Sequence, residues 1–330
     1  MKLDGVNPIE ARRTKRSSAK AEAAKAAATG KTLKECAEEY IADNEPGWRD
    51  PRAVSNWRAS LRDHVYPAIG ELPVRDIDLP LVLAVLSPMW KTKAPTAKRV
   101  RARIENVLDY ATTRGYRSGD NPARWKGHLA KILPKPSRVT RVEHHAALPY
   151  LEIGAFMATL QQRSTVAAAA LEFAILAASR TGEIRGARWD EIDLKSRIWT
   201  IPAERMKGDR EHRVPLSDRA VEIIAQMEEI RTNEFVFPGR YGDRPLGHGA
   251  LRDELESVGR TDLTAHGFRS TFASWAADRT NYPHEVRELA LAHTVGSAVE
   301  RAYQRSDLFD RRARLMQDWA TFCESPPNRG

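Results

Sequence analysis

Cysteine is nearly absent. The 330 residues hold two, Cys36 and Cys323, far apart and in no Cys-x-x-Cys pair. That excludes a cysteine-built zinc site and indicates no disulfide framework, so a reducing compartment is expected. Long apolar runs are missing too. No stretch reaches the roughly 20 residues that cross a bilayer, and the N-terminus lacks the apolar core of a secretory signal. A cytoplasmic protein with no membrane partner is expected. His144, His145 and His284 have no metal-ligating partners at useful spacing, so neither a metal nor a cofactor is expected. Acidic residues are in deficit, 44 against 53 Lys and Arg, a formal charge of +9. Such an excess suits a polyanion, above all nucleic acid; a merely basic soluble protein is the plainer reading.

What is present suits two domains. Hydrophobic residues make up 42% of the chain, enough to bury a sizeable core. Residues 1–31 are rich in Lys, Arg and Ala without an apolar stripe, and read as a basic helical arm or linker, or as a solvated tail. Residues 32–125 read as a helical unit. Thr32 and Glu35 form a capping-box signature, with Leu33, Ala37, Tyr40 and Ile41 on one face. Val54, Trp57, Leu61 and Val65 mark a second helix, residues 79–86 a third, and residues 96–113 the longest. The outer face of that last helix carries Lys98, Arg99, Arg101 and Arg103, which suits gripping a duplex backbone or is simply solvated. Residues 126–145 read as a basic linker, with Lys131, Lys135 and Arg138 placed to follow phosphates and Pro134 and Pro136 stiffening it.

Residues 146–325 read as the second domain, with 326–330 a tail. Residues 152–162 are amphipathic, and residues 166–178 are nearly all apolar and predict a buried helix. That helix runs straight into Arg180. A buried guanidinium needs a partner: either Glu183 neutralises it as a structural pair, or it faces an anion at a cleft with Glu183 as support. A β excursion follows, 197–201 out and 212–216 back, with Lys207 at or near its tip. Helices are predicted at 217–231, from Thr264 through His266 and Arg269, at 283–292, towards Tyr303, and at 307–321. Trp189, Trp275 and Trp319 read as core.

His266 and Arg269 are one helical turn apart and share a face; His293 and Tyr303 follow. A cation, two imidazoles and a phenol are what a phosphoryl transfer without a metal requires. Taken singly, each has a bland reading: a helix histidine with its hydrogen bonds met, a core or surface tyrosine.

Together these residues resemble a family. Arg180 with Thr181-Gly182-Glu183, Lys207 in a hairpin, His266-x-x-Arg269, His293 and Tyr303 are similar to the pattern of the tyrosine recombinases, and more narrowly of phage or genomic-island integrases. The stretch Leu291-Ala292-His293, with Glu300-Arg301-Ala302-Tyr303 after it, is especially close. The resemblance covers roughly residues 32–325. It implies a mostly α fold with a small antiparallel sheet: a helical core-type DNA-binding domain (32–125) and a mixed α/β catalytic domain (146–325), clamped around DNA. Members usually begin with an arm-binding domain, of which Asp4 to Arg13 looks like the end with the rest missing, a departure from the pattern that bears on arm-site binding and not on the chemistry.

The resemblance also implies the chemistry. Arg180 and Arg269 would hold the non-bridging oxygens of the scissile phosphate, Tyr303 would attack to give a 3′-phosphotyrosine, and His266 would take the phenol proton. Lys207 would protonate the leaving 5′-oxygen, His293 would hydrogen-bond the phosphate, and Glu183 would support Arg180. The implied partners are double-stranded attachment-site DNA, a homo-tetramer on DNA formed from free monomers, and excision or host DNA-bending factors at the nucleoid. Leu308, Leu315, Met316 and Trp319 would either fill a neighbouring protomer's pocket or fold back on their own domain. Two other functions compete with integration and excision of a mobile element: type IB topoisomerase-like relaxation, and non-catalytic DNA-binding regulation.

Overall fold

A computed structural model describes residues 30–48, 50, 52–135, 147–240, 243–295 and 306–325. The predicted arm up to residue 29, Arg138, Tyr303 and the tail from 326 lie outside the described residues. The chain separates into two compact units, residues 1–142 and 143–330. The described part is mostly helical with one three-stranded antiparallel sheet. None of its helices is long and apolar enough to cross a membrane.

The first unit is built on α1 (Leu33–Asn44), α2 (Ala53–His64), α3 (Leu79–Trp90) and α4 (Ala94–Thr113). Thr32 and Glu35 close the capping box at the start of α1: the Glu35 amide donates to Thr32 Oγ1 at 3.2 Å, and the Thr32 amide to Glu35 Oε2 at 2.8 Å. Leu33, Ile41, Leu61, Val82, Leu86, Val100, Ile104 and Leu108 form the core. The unit extends further than the sequence suggested. Leu129 and Leu133 are buried in the same core, and Trp90 Nε1 donates to the Pro134 carbonyl at 2.9 Å. Part of the stretch read as linker is therefore anchored to this unit, through Leu129, Leu133 and the Pro134 carbonyl, while Lys131 and Lys135 stay exposed.

The second unit wraps α6 (Val166–Leu176), which is buried on nearly every side as its all-apolar face predicts. α5 (Ile153–Gln161) precedes it and α7 (Thr181–Arg185) follows. The sheet is β1 (Ile192–Asp193), β2 (Ile198–Ile201) and β3 (His212–Pro215) in that order, with Ile201 opposite His212. Then come α8 (Asp218–Glu229), α9 (Ala250–Ser257), α10 (Gly267–Arg279), α11 (His284–Ala290) and α12 (Phe309–Glu324).

Of the two arrangements left open for the last helix, the second is seen. Leu315, Met316 and Trp319 are buried in their own unit, and Trp319 Nε1 donates to the Ile175 carbonyl at 2.9 Å. The end of α12 lies so close to α5 that a Cβ on Gly154 would collide with the Ser325 carbonyl oxygen. Trp275 is also core, whereas Trp189 is half-buried with the Arg231 guanidinium 5.1 Å from its ring centre. Cys36 and Cys323 are both buried free thiols; burial pushes Cys36 up to about 11.

Candidate active site

The site begins where α6 ends. Ala178 turns the chain at φ 47°, a left-handed conformation that is costly for alanine, and delivers Arg180 to the N-terminus of α7. Glu183, one turn into α7, serves both ends of that arginine. Its Oε2 accepts from the Arg180 amide and its Oε1 from Arg180 Nη1, each at 2.8 Å. Glu183 is only 5% exposed, so its charge is stabilised by this pairing and by little water.

Arg269 arrives from α10. It is 6% exposed and is held by neutral acceptors. Nη1 donates to the Ala178 carbonyl, and Nη2 donates to the Leu291 carbonyl at 2.6 Å and reaches His293 Nε2 at 3.3 Å. Burial, and then the neighbouring Arg180 charge, pull its guanidinium down to about 10; Glu183 and Glu288 partly oppose this. Arg180 Nη2 in turn donates to the Ala292 carbonyl at 3.4 Å. Two arginines from distant parts of the chain thus meet on consecutive carbonyls. Ala292 permits this by adopting φ 50°. His293 follows directly, its Nδ1 2.8 Å from Glu288 Oε2.

A cavity of about 250 Å³ opens beside these groups. Ala292 and His293 line one side, Met206, Gly208 and His212 of the β2–β3 hairpin another, and Ser306, Asp307 and Arg312 a third. Thr294 and Val295 also line it, so both chain ends flanking the segment that contains Tyr303 do so. Lys207 is exposed in the hairpin turn between two lining residues. His266 is exposed immediately before α10, one turn from Arg269, and does not line the cavity. Arg180, Glu183, Arg269 and His293 are therefore brought together.

Three residues here were not singled out from sequence. Glu288 contacts His293. Arg312, 1% exposed, donates to the Asp307 and Arg213 carbonyls at 2.7 and 2.6 Å and to Asp307 Oδ2 at 2.9 Å. His212 is pushed down to about 3, first by burial and then by the charges of Arg312, Arg180 and Arg269. It stays a neutral imidazole at the cavity wall.

In the first unit the expected basic face divides. Lys98, Arg99, Lys131 and Lys135 are exposed. Arg101 is a correction: it is 9% exposed, pairs with Glu105 and donates to the Ala123 carbonyl at 2.8 Å, so it fastens the core. Arg103 is half-buried, donating to the Asn56 carbonyl at 2.8 Å with its guanidinium 5.1 Å from the Trp57 ring centre.

Comparison with known proteins agrees across both units. Residues 33–128 match the phage integrase central domain and residues 148–308 the phage integrase family. Prophage integrase IntZ of Escherichia coli K12 is 32% identical over 325 residues, covering 98% of this chain and 77% of the relative. Prophage integrase IntA of the same organism is 33% identical over 275 residues, covering 82% and 64% respectively. Among solved structures, a lambda integrase tetramer bound to a Holliday junction shares the fold, with a TM-score of 0.63 at 16% identity over 90% of this chain and 84% of that one. The Tn1549 transposon integrase in complex with transposon right end DNA does so with a TM-score of 0.61 at 12% identity over 88% of this chain and all of that one.

Proposed function

Since this chain belongs to the phage integrase family and is a tyrosine site-specific recombinase, we propose that Arg180, Arg269 and Tyr303 carry its reaction on one DNA phosphate. The observation that supports this most is the meeting of Arg180 and Arg269 on the consecutive carbonyls of Leu291 and Ala292. A phosphodiester repels nucleophiles, and two guanidinium groups offer it fixed positive charge and planar donors. Their hydrogen bonds to the two non-bridging oxygens grow stronger as charge builds in the pentacoordinate transition state.

Tyr303 attacks phosphorus through its phenol oxygen, forming the 3′-phosphotyrosine and expelling the 5′-oxygen. Ser306, three residues later, lines the cavity, and three residues of chain span at most about 11 Å. His266 accepts the phenol proton, Lys207 protonates the 5′-oxygen, and His293 hydrogen-bonds the phosphate. The 5′-hydroxyl of a partner duplex then attacks the phosphotyrosine, releasing Tyr303 and joining the strands. The linkage energy is conserved, so the exchange needs no high-energy cofactor.

The substrate is double-stranded attachment-site DNA, with Lys98, Arg99, Lys131 and Lys135 of the first unit on its phosphates. Four copies assemble on the DNA, as the lambda integrase tetramer bound to a Holliday junction suggests. A nicked suicide duplex tests the reading, because loss of the small 5′ fragment traps the covalent adduct. Wild type accumulates an adduct that survives denaturation, and Tyr303→Phe gives none. An equal adduct from Tyr303→Phe sinks the proposal.

A further inference from the structure

Arg180 and Arg269 are supported differently. Glu183 touches Arg180 directly, Nη1 to Oε1 at 2.8 Å. Arg269 has no carboxylate against it among the described residues; its acceptors are two carbonyls and an imidazole. A carboxylate stands one group further back. Glu288 Oε2 lies 2.8 Å from His293 Nδ1, and His293 Nε2 lies 3.3 Å from Arg269 Nη2.

The two contacts fix the ring's protonation pattern. A guanidinium only donates, so His293 Nε2 must be the acceptor. The proton of the neutral imidazole then sits on Nδ1 and donates to Glu288. The opposite tautomer sets an N–H against an N–H at Arg269 and a lone pair against a carboxylate at Glu288. Both mismatches vanish in a neutral ring only when Nδ1 carries the proton.

We propose that Glu288 is a positioning residue of this active site: through His293 it fixes the ring tautomer and aims Nε2 at Arg269, the counterpart of what Glu183 does directly for Arg180. Glu288 thereby holds a phosphate-binding guanidinium without neutralising it by contact. The imidazole acceptor gives Arg269 direction without adding a negative charge, whereas Glu183 gives Arg180 both. His293 also starts from a tight turn: its amide donates to the Glu288 carbonyl at 3.0 Å, which brings the ring back over the end of α11. This inference rests on the reading of Arg269 as a phosphate ligand.

Single-turnover adduct formation on the suicide duplex tests it, using the full chain as wild type, Glu288→Gln, Glu288→Ala, His293→Ala and the Glu288→Ala/His293→Ala double variant. Glu288→Ala slows adduct formation about 10- to 100-fold, the range for partners that orient a functional histidine. Duplex affinity stays within about twofold, because most phosphate contacts lie elsewhere. Glu288→Gln, whose amide oxygen still accepts from Nδ1–H, recovers part of the rate. In the His293→Ala background, Glu288→Ala adds nothing, since its effect passes through the missing ring. Nitrogen-15 spectra of labelled histidine show His293 protonated on Nδ1 in wild type and a mixture of tautomers in Glu288→Ala.

An additive double variant, an unchanged rate in Glu288→Ala, or a wild-type ring protonated on Nε2 overturns the proposal. If wild type forms no adduct, the phosphate-ligand reading fails, and the spectra still decide whether Glu288 sets the tautomer.

Discussion

Two arginines of the second unit are almost wholly buried, Arg269 at 6% and Arg312 at 1% exposure, yet their surroundings differ in kind. Arg312 faces the Asp307 carboxylate at 2.9 Å, two carbonyls, and the Phe309 ring with its guanidinium carbon 5.6 Å from the ring centre. Its charge is matched on the spot, and it fastens β3 to the start of α12. Arg269 faces only neutral acceptors, with a second cation nearby. Arg101 of the first unit belongs with Arg312, since it is paired with Glu105. Burial alone therefore does not mark an arginine as functional. Between Arg269 and Arg312 the difference lies in whether an acid touches the guanidinium; Arg180, which Glu183 touches, is the more exposed case.

Arg312→Met should show the larger effect on folding. It strips the buried guanidinium from the Asp307 and Arg213 carbonyls and from the Asp307 carboxylate, itself 43% exposed, and lowers stability by about 1–3 kcal/mol in urea denaturation. A loss below about 1 kcal/mol would put Arg312 in the class of weakly coupled surface pairs and erase the contrast. Arg269→Gln should show its effect in chemistry instead. Adduct formation falls about 100- to 1000-fold, the usual result of deleting one transition-state donor. Its urea midpoint should move less than that of Arg312→Met; the reverse ranking would break the comparison.

A pH-dependent effect sharpens it, because His212 feels the field of both arginines. Its value is about 3 in the folded protein against an ordinary 6.5. As pH falls below 6.5, the unfolded chain takes up a proton that the folded chain refuses until about 3. His212 therefore costs nothing above pH 6.5 and removes stability through that window, by up to about 1.4 kcal/mol per pH unit. His212→Gln should flatten the urea midpoint between pH 7 and pH 4 by that share. An unchanged slope would mean that neither burial nor the three guanidinium groups hold the imidazole down.

Much of the architecture could be read from spacing. The apolar periodicity of α4 and the nearly all-apolar run of α6 predict their burial, and Arg180 after that run predicts a guanidinium needing an answer. α9 was missed because Ala250–Ser257 is short and half charged, with only Leu251, Glu254 and Leu255 turned inward. β1 is two residues long and carries no alternation. Arg101 was misread although a signal existed: it lies four residues after buried Ala97 and three before buried Ile104, inside the apolar stripe. Arg312 sits likewise within the stripe of α12, three residues before Leu315.

Glu288 and His212 had no such signal. Glu288 meets His293 only because the chain reverses through the left-handed Ala292, and no periodic rule encodes that turn. His212 looks like an ordinary strand residue; its character comes from burial first and then from arginines on α12, the start of α7 and α10.

The shared dipeptide at Leu291 and Ala292 works as a ruler. Each arginine is hooked to a different, adjacent peptide oxygen, so the span between the two positive centres is dictated by bond lengths and torsions of the main chain. Swapping side chains at those two positions leaves the calibration untouched, provided the handedness of the turn survives. The bite of the pocket is thus a backbone quantity, insulated from most point mutation and adjustable chiefly by insertion, deletion or a change of turn.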